Sequence, residues 1–344
     1  ARALDLGGPW DESLPVSVTV GSGSTLRVTG VNPARLRVSG IVQVSGVVDA
    51  SGADGATGGG SGAGGPGGFA GGRSNPGVNG YSILSFGSCM ASFDTWLNSM
   101  SSAKSLYPFS THGQGPGRGY AGGDVGNWYY FYDQDFSSTG GGGAGHGAEG
   151  QMGEDRLNQA AGVTQGVGKA CTQYGAPYSL VLPLRGGAGF TFGDRTLKAN
   201  WAGGAGGGAG GAVHTMFNYY NPTAAGGGGG GGGGVLEILA SGPVGATGGT
   251  IYARGGNGGK GSYFPSSLGS SYGTVLSGGG GGGAGGAVSI VSGATINLAG
   301  AIVDVRGGAG GLRPNAGTTM TSCKSCNAGG AGGKGYIFLM DADG

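Results

Sequence analysis

The chain has 344 residues, and 93 of them are glycine, about four times the usual share in a globular protein. Collagen is excluded because glycine does not recur at every third position and 13 prolines are too few for a triple helix. Only 10% of the residues are charged and the formal net charge is +1, so no strong field exists to attract nucleic acid or an anionic membrane.

The first region, residues 1–80, is predicted to contain short strands followed by a glycine arm. In "LRVSGIVQVSGVVDASG" apolar residues alternate with polar ones, and glycine and serine interrupt the runs, which is typical of short half-buried strands. The segment "GAGGPGGFAGG" follows. Because the apolar residues are gathered in such regular runs, the sequence does not favour a disordered chain.

The second region, residues 81–180, contains less glycine and is predicted to be an aromatic-rich insert with short helices. Apolar residues recur at helix-like spacing from Met90 to Met100, and a second short helix is predicted at Asp155–Ala161. Two interpretations of a five-residue aromatic run stay open: a surface that binds a glycan or partner, and a local core. The run consists of Trp128, Tyr129, Tyr130, Phe131 and Tyr132.

The third region, residues 181–344, contains a duplicated unit. A shift of 52 positions carries Gly226–Gly234 onto Gly278–Gly286. The same shift aligns Leu236 with Val288, Ile238 with Ile290, Leu239 with Val291, Val244 with Ile296, and Arg254 with Arg306. Residues 48–52 have the layout of residues 303–307. Each unit is therefore predicted to be two or three strands followed by a glycine-rich excursion.

The predicted fold class is all-β: short-strand repeats forming a β-solenoid or a sandwich, with a layer of extended arms of the polyglycine-II type and small aromatic-rich inserts. An extended glycine helix has no internal hydrogen bonds, so its polar groups need partners on neighbouring arms. Alanines in the arms are expected to face outward or a gap, at Ala205, Ala209 and Ala284. The predicted lattice positions are Gly226, Gly230, Gly234, Gly278, Gly282 and Gly286.

These repeats resemble a widespread class of secreted glycine-rich bacterial surface proteins, most of which have no assigned activity. The resemblance rests on "TLRVTGVNPARLRVSGIVQVSGVVDASG" and "GGGGGGAGGAVSIVSGATINLAGAIVDVRGGAGG", and by the repeat criterion it covers about two thirds of the chain. The glycine arms separately resemble the polyglycine sandwich of some phage tail-fibre adhesins. The resemblance implies a location outside the cell.

The cysteines also suit an oxidising compartment. Their number is even, three pairings are open, and the chain begins at Ala1 without methionine, as expected for a secreted protein after its leader is removed. The disulfide candidates are Cys89, Cys171, Cys323 and Cys326. The close pair at the end lacks the second pair that a structural zinc site needs, so no metal and no cofactor are predicted.

The sequence contains no clear catalytic motif. The carboxylates are dispersed and neither an acid pair nor a Ser/His/Asp cluster can be identified, so no enzyme is predicted. Three Arg-Gly-Gly triplets, at Arg185, Arg254 and Arg306, fall at one point of the repeat, where the arginines are expected to cap strand ends or contact adjacent units.

The leading functional hypothesis is a non-enzymatic extracellular structural protein that self-associates into a homopolymer, as a surface fibre or coat. Apolar strands at both ends suggest assembly by strand addition. The first alternative is an adhesin or receptor-binding fibre tip that uses the aromatic insert on a surface glycan or receptor. The second is a polysaccharide-acting β-solenoid enzyme. Neither a nucleic-acid partner nor a membrane span is predicted.

Overall fold

The computed structural model describes residues 15–74, 110–122, 125–127, 136–154, 186–193, 202–215, 223–264, 275–314 and 328–342. Within these ranges the regular elements are all strands and no helix occurs, which confirms the all-β prediction for this part of the chain. The two predicted helices, at Met90–Met100 and Asp155–Ala161, lie outside the described residues.

Eighteen short strands make up the regular structure of the described ranges. They are β1 (Ser17–Val20), β2 (Thr25–Arg27), β3 (Ala34–Val38), β4 (Ile41–Val44), β5 (Val47–Asp49), β6 (Val125–Asn127), β7 (Phe136–Ser137), β8 (Val213–Thr215), β9 (Thr223–Ala224), β10 (Val235–Ala240), β11 (Val244–Gly245), β12 (Thr250–Tyr252), β13 (Tyr263–Phe264), β14 (Val275–Leu276), β15 (Ala287–Ser292), β16 (Ile296–Asn297), β17 (Ile302–Asp304) and β18 (Tyr336–Met340).

Three four-stranded sheets, parallel throughout, organise the repeats. Sheet I has the order β1-β4-β11-β16, sheet II has β2-β5-β12-β17, and sheet III has β3-β10-β15-β18. Each repeat contributes one strand to each sheet, in the order III, I, II. We call such a set of three strands a rung; the complete rungs are β3-β4-β5, β10-β11-β12 and β15-β16-β17.

The register between rungs follows the sequence repeat. Leu236 pairs with Val288 and Val244 pairs with Ile296, both across the 52-residue shift that aligns the two units. The N-terminal rung obeys the same layout, because Val48 and Val303 both flank Ile251. Equivalent residues of successive rungs pair in parallel, and this pairing explains why the apolar positions recur at a constant spacing in the sequence.

One apolar core is shared by the three sheets. Along β3 buried and half-buried residues alternate, so a single face of the strand points into the core. Sheets I, II and III contribute Val42, Ile251 and Ile290 among others, all fully buried. Two smaller three-stranded sheets, β13-β14-β7 and β6-β8-β9, each contain an antiparallel pair and lie outside this arrangement.

Candidate functional site: the hydrogen-bonded glycine arms

The glycine-rich segments between the strands are extended and bonded mainly to one another. We call these segments arms. They are residues 50–56, 60–66, 69–74, 110–115, 118–122, 138–146, 148–154, 186–192, 203–211, 226–234, 253–261, 278–286, 305–314 and 328–335.

Arm 226–234, a run of nine glycines, donates hydrogen bonds with a period of three. The amides of Gly227 to Gly234 bond to carbonyls of three neighbours in turn, at N···O distances of 2.8 to 3.0 Å, and each neighbour returns at every third residue. These acceptor arms are 278–286, 50–56 and 69–74. A backbone with three residues per turn presents its amides in three directions, which accounts for the period.

The carbonyls of the same arm accept from three further neighbours. Gly227, Gly230 and Gly233 accept from one arm, Gly228 and Gly231 from a second, and Gly229 and Gly232 from a third. The carbonyl of the last residue, Gly234, accepts from Ala287 N at the start of β15. The donor arms are 203–211, 253–261 and 60–66. Arm 226–234 is therefore surrounded by six bonded neighbours, and the amides of Gly227 to Gly234 are paired with main-chain carbonyls without help from side chains.

Arm 278–286, the repeat of 226–234, is surrounded in the same way. It donates to 203–211, 253–261 and 328–335, and it accepts from 226–234, 138–146 and 305–314. Arms from all three regions of the sequence thus belong to one network.

Close approach of the arms requires glycine. A Cβ atom on Gly230 would overlap the carbonyl oxygen of Gly256, and every residue of arm 226–234 meets a comparable obstacle. At the other predicted lattice positions the obstacles are Gly210 O for Gly226, the Pro66 ring for Gly234, Thr139 O for Gly278, Gly308 O for Gly282 and Gly234 O for Gly286.

The alanines fill gaps in the network. Ala205, Ala209 and Ala284 are fully buried, so of the two expected alternatives the outward orientation is wrong and the orientation toward a gap in the lattice fits. Ala205 and Ala284 form a small apolar cluster with Ala144, against which Phe192 packs. A methyl group is accommodated where the arms leave a space of its size.

Serine hydroxyls close the network where arms begin, a role that was not anticipated from the sequence. The Ser138 hydroxyl donates to Gly211 O at 2.5 Å and accepts from Gly278 N at 2.9 Å. The Ser74 hydroxyl accepts from Gly226 N at 2.9 Å. It takes the place of a carbonyl acceptor for the first amide of arm 226–234. Ser138 lies shortly before a glycine run, whereas Ser74 follows one, so the sequence carries no common signal for this role.

His146 is a second residue that the sequence analysis missed. Its ring is buried at the end of arm 138–146 and packs against Phe192 and Tyr336, with ring centroids 4.8 and 4.9 Å apart. Nδ1 lies 2.8 Å from Gly285 O, so this nitrogen carries the proton and donates it. Burial lowers the pKa of His146, while nearby backbone hydrogen bonds act in the opposite direction.

Two arginines of the triplets converge on Asp304 at the end of β17. Arg254 Nε lies 2.6 Å and Arg306 Nη2 lies 2.8 Å from Asp304 Oδ2, and Arg254 also stacks on Tyr252 at 3.7 Å. Burial alone would raise the pKa of Asp304, but hydrogen bonds from Arg306 and Arg254 outweigh it and lower the pKa to about 2. Arg254 contacts the adjacent rung as expected; Arg185 lies outside the described residues.

Glu237 on β10 is the second buried acid among the described residues. It lies beside Arg35 of β3, with Oε2 3.0 Å from Arg35 Nε, in an ion pair that lacks hydrogen-bond geometry. Burial raises the pKa of Glu237, and Arg35 and Arg37 act in the opposite direction. Asp304 and Glu237 lie on different sheets and are each neutralised by arginine.

The remaining predicted site residues fall outside the described ranges. This applies to the four cysteines Cys89, Cys171, Cys323 and Cys326 and to the aromatic run 128–132. Within the described ranges no group of three or more His, Cys, Asp or Glu side chains could hold a metal ion. In the same ranges the search for a helix of sufficient length and apolarity to cross a bilayer finds none.

Comparisons of the chain with protein-family models, with curated proteins and with solved structures find no match.

Proposed function

We propose that the protein is a non-enzymatic extracellular structural protein, the subunit of a surface fibre or coat. In this proposal the three parallel sheets form a β-solenoid, and the arms form a polyglycine-II-type layer that stiffens it. The observation that carries the proposal is the bonding of arm 226–234 to six neighbouring arms.

Rigidity is the property that such a network supplies. A glycine segment in water is a flexible tether with high conformational entropy. When most of its amides and carbonyls are bonded to other arms, any displacement breaks several main-chain hydrogen bonds at once. The arms then transmit force instead of relaxing, which suits a load-bearing fibre or coat.

Secretion to the cell surface is the second part of the proposal. Sparse charge and an even number of cysteines support it. The adhesin alternative rests on residues 128–132, outside the described ranges, and has no structural observation in its favour.

Immunogold electron microscopy of unpermeabilised producing cells and of material sheared from them tests this proposal. Antibody against the purified protein is expected to decorate extended filaments or a continuous coat outside the cell. Label confined to the cell interior, or to isolated particles after shearing, would contradict it.

A further inference from the structure

Two neighbouring arms at the edge of the glycine layer, 305–314 and 328–335, leave some main-chain groups unpaired in the described part of the structure. On the first arm these groups are two amides, and on the second they are two carbonyls. The residues concerned are Gly307, Gly310, Gly329 and Gly332. All four are half-buried, so solvent reaches the groove between the two arms, which we call the edge groove.

The site that arm 305–314 itself occupies shows how such a groove is filled. Gly255 and Gly258 donate to carbonyls of this arm at N···O distances of 3.0 and 2.8 Å. Gly280 and Gly283 accept from its amides at 2.7 and 2.9 Å. An arm therefore fills a groove between two others by giving its carbonyls to one and its amides to the other.

The edge groove repeats that occupied site one rung further along. The 52-residue shift relates its amides to those of the occupied site, and the register between β15 and β18 relates its carbonyls. The equivalent pairs are Gly255 and Gly307, Gly258 and Gly310, Gly280 and Gly329, and Gly283 and Gly332. The geometry agrees, because a Cβ atom on Gly307 would meet the oxygen of Gly332 just as one on Gly255 would meet the equivalent oxygen.

We propose that the edge groove binds an extended glycine-rich segment of another protein, in the position that a further arm of the layer would take. The bound segment accepts hydrogen bonds from the two free amides and donates to the two free carbonyls. The inference goes beyond the proposed fibre or coat function and does not rest on it, because a single subunit provides the whole groove.

The segment needs glycine at every third residue, where its backbone faces arm 305–314. Gly308 holds the corresponding place in the occupied site, and a Cβ atom on it would meet the oxygen of Gly256. The 52-residue shift carries Gly256 onto Gly308, so a Cβ atom on the bound segment would meet the Gly308 oxygen. Proline is excluded at the same places, because these residues must donate their amides.

The identity of the occupant is inferred from the contacts within the layer. The edge groove continues the series of arm-to-arm contacts, so it fits a segment with the chemistry of an arm. Within the described ranges every arm is already bonded to at least three others, so no arm of a second copy is free to enter the groove as a single segment. The partner is therefore a glycine-rich segment of a different protein.

The test uses a synthetic peptide that copies residues 305–314, added to the intact protein and followed by NMR. Its dissociation constant is expected near about 1 mM, because a few main-chain hydrogen bonds must offset the ordering of a flexible peptide. Saturable shifts are expected at Gly307, Gly310, Gly329 and Gly332. At about ten times the dissociation constant, exchange of the two amides in the groove should slow about tenfold.

Two variant peptides locate the contact without altering the protein. Gly308→Ala in the peptide should abolish the shifts, because its Cβ atom would meet a main-chain oxygen of arm 305–314. Ala309→Asn in the peptide is the matched control. Asn257 holds the equivalent position in arm 253–261, where it is exposed, so this peptide should bind like the original.

The outcomes separate this proposal from the fibre or coat function. Absence of saturable shifts, shifts centred on other residues, or equal binding of the Gly308→Ala peptide would overturn the glycine-segment site. Shifts of the same four glycines on concentrating the protein alone would assign the groove to a second copy and overturn the proposed partner. None of these results changes the immunogold labelling expected of a fibre or coat.

Discussion

At the residue scale, the decisive property is the absence of a side chain. Gly230 sits in the middle of arm 226–234, where a Cβ atom would overlap Gly256 O. The neighbour is main chain that is itself hydrogen-bonded, so no flexible side chain can move aside. Relief must come from separation of two arms, with loss of the bonds between them.

Gly230→Ala is therefore expected to lower the free energy of unfolding by about 2 kcal/mol or more, the upper range of an overpacking substitution. Gly21→Ala is the control, because a Cβ there meets nothing within 4 Å and the backbone needs no left-handed conformation. Its cost should be negligible by comparison. Equal losses in urea unfolding would show that the contacts of Gly230 do not matter.

The lowered pKa of His146 leads us to expect that the stability of the fold depends on pH near neutrality. Its pKa is lowered on folding, so the unfolded chain takes up the proton first. The stability that the neutral ring contributes is present above its ordinary value of 6.5 and is lost as the pH falls below it. The melting temperature should therefore drop between about pH 7.5 and about pH 5.5, and this drop should be smaller in His146→Gln. His112, whose pKa is also lowered by burial, is present in both proteins, so only the difference reports on His146.

The lowered pKa of Asp304 leads us to expect a second pH dependence of the stability, at lower pH. Its folded pKa of about 2 lies below the unfolded value of 3.8, so the stabilisation is present above 3.8 and disappears as the pH falls toward 2. Asp304→Asn should cost about 2 kcal/mol at neutral pH, and the difference from wild type should vanish in that acidic range. Asp49→Asn, which breaks the more exposed pair with Arg27, is the comparison and should cost less than about 1 kcal/mol.

At the element scale, an arm is ordered by its neighbours and not by its own sequence. All nine amides of residues 226–234 donate, eight to other arms and that of Gly226 to Ser74 Oγ. Hydrogen exchange should show protection throughout this arm, against rapid exchange at the exposed turn around Gly58 in the same sample. Exchange in 226–234 at the rate of an unstructured peptide would contradict the network.

At the scale of the whole molecule, the arms and the sheets are expected to unfold together. Arm 226–234 leads directly into β10, and its bonded neighbours adjoin strands of all three rungs. Gly230→Ala should therefore increase exchange in β10 and β15 as well as in the arm. Increased exchange confined to the arm would indicate that the glycine layer and the sheets are independent units.

Part of this arrangement can be predicted from the amino-acid sequence. Period-two alternation with β-branched residues predicts the strands, and the 52-residue shift predicts the register between β10 and β15, because parallel stacking pairs equivalent residues. The need of a glycine run for bonded neighbours also follows from elementary chemistry. The hydrogen bonds of Ser138 and the burial of His146 were not predicted, because a single serine or histidine carries no periodic signal.

What the sequence by itself determined is the strand content, the repeat and the close packing that only glycine permits. What the tertiary structure decided is which arms meet: nothing in residues 69–74 identifies 226–234 as a partner. The physical reason is that specificity between strands comes from side chains, whereas a bare backbone with three residues per turn can bond equally well to any similar arm. The order of the strands in the three sheets joins residues far apart in the described part of the chain, and this order brings particular arms together.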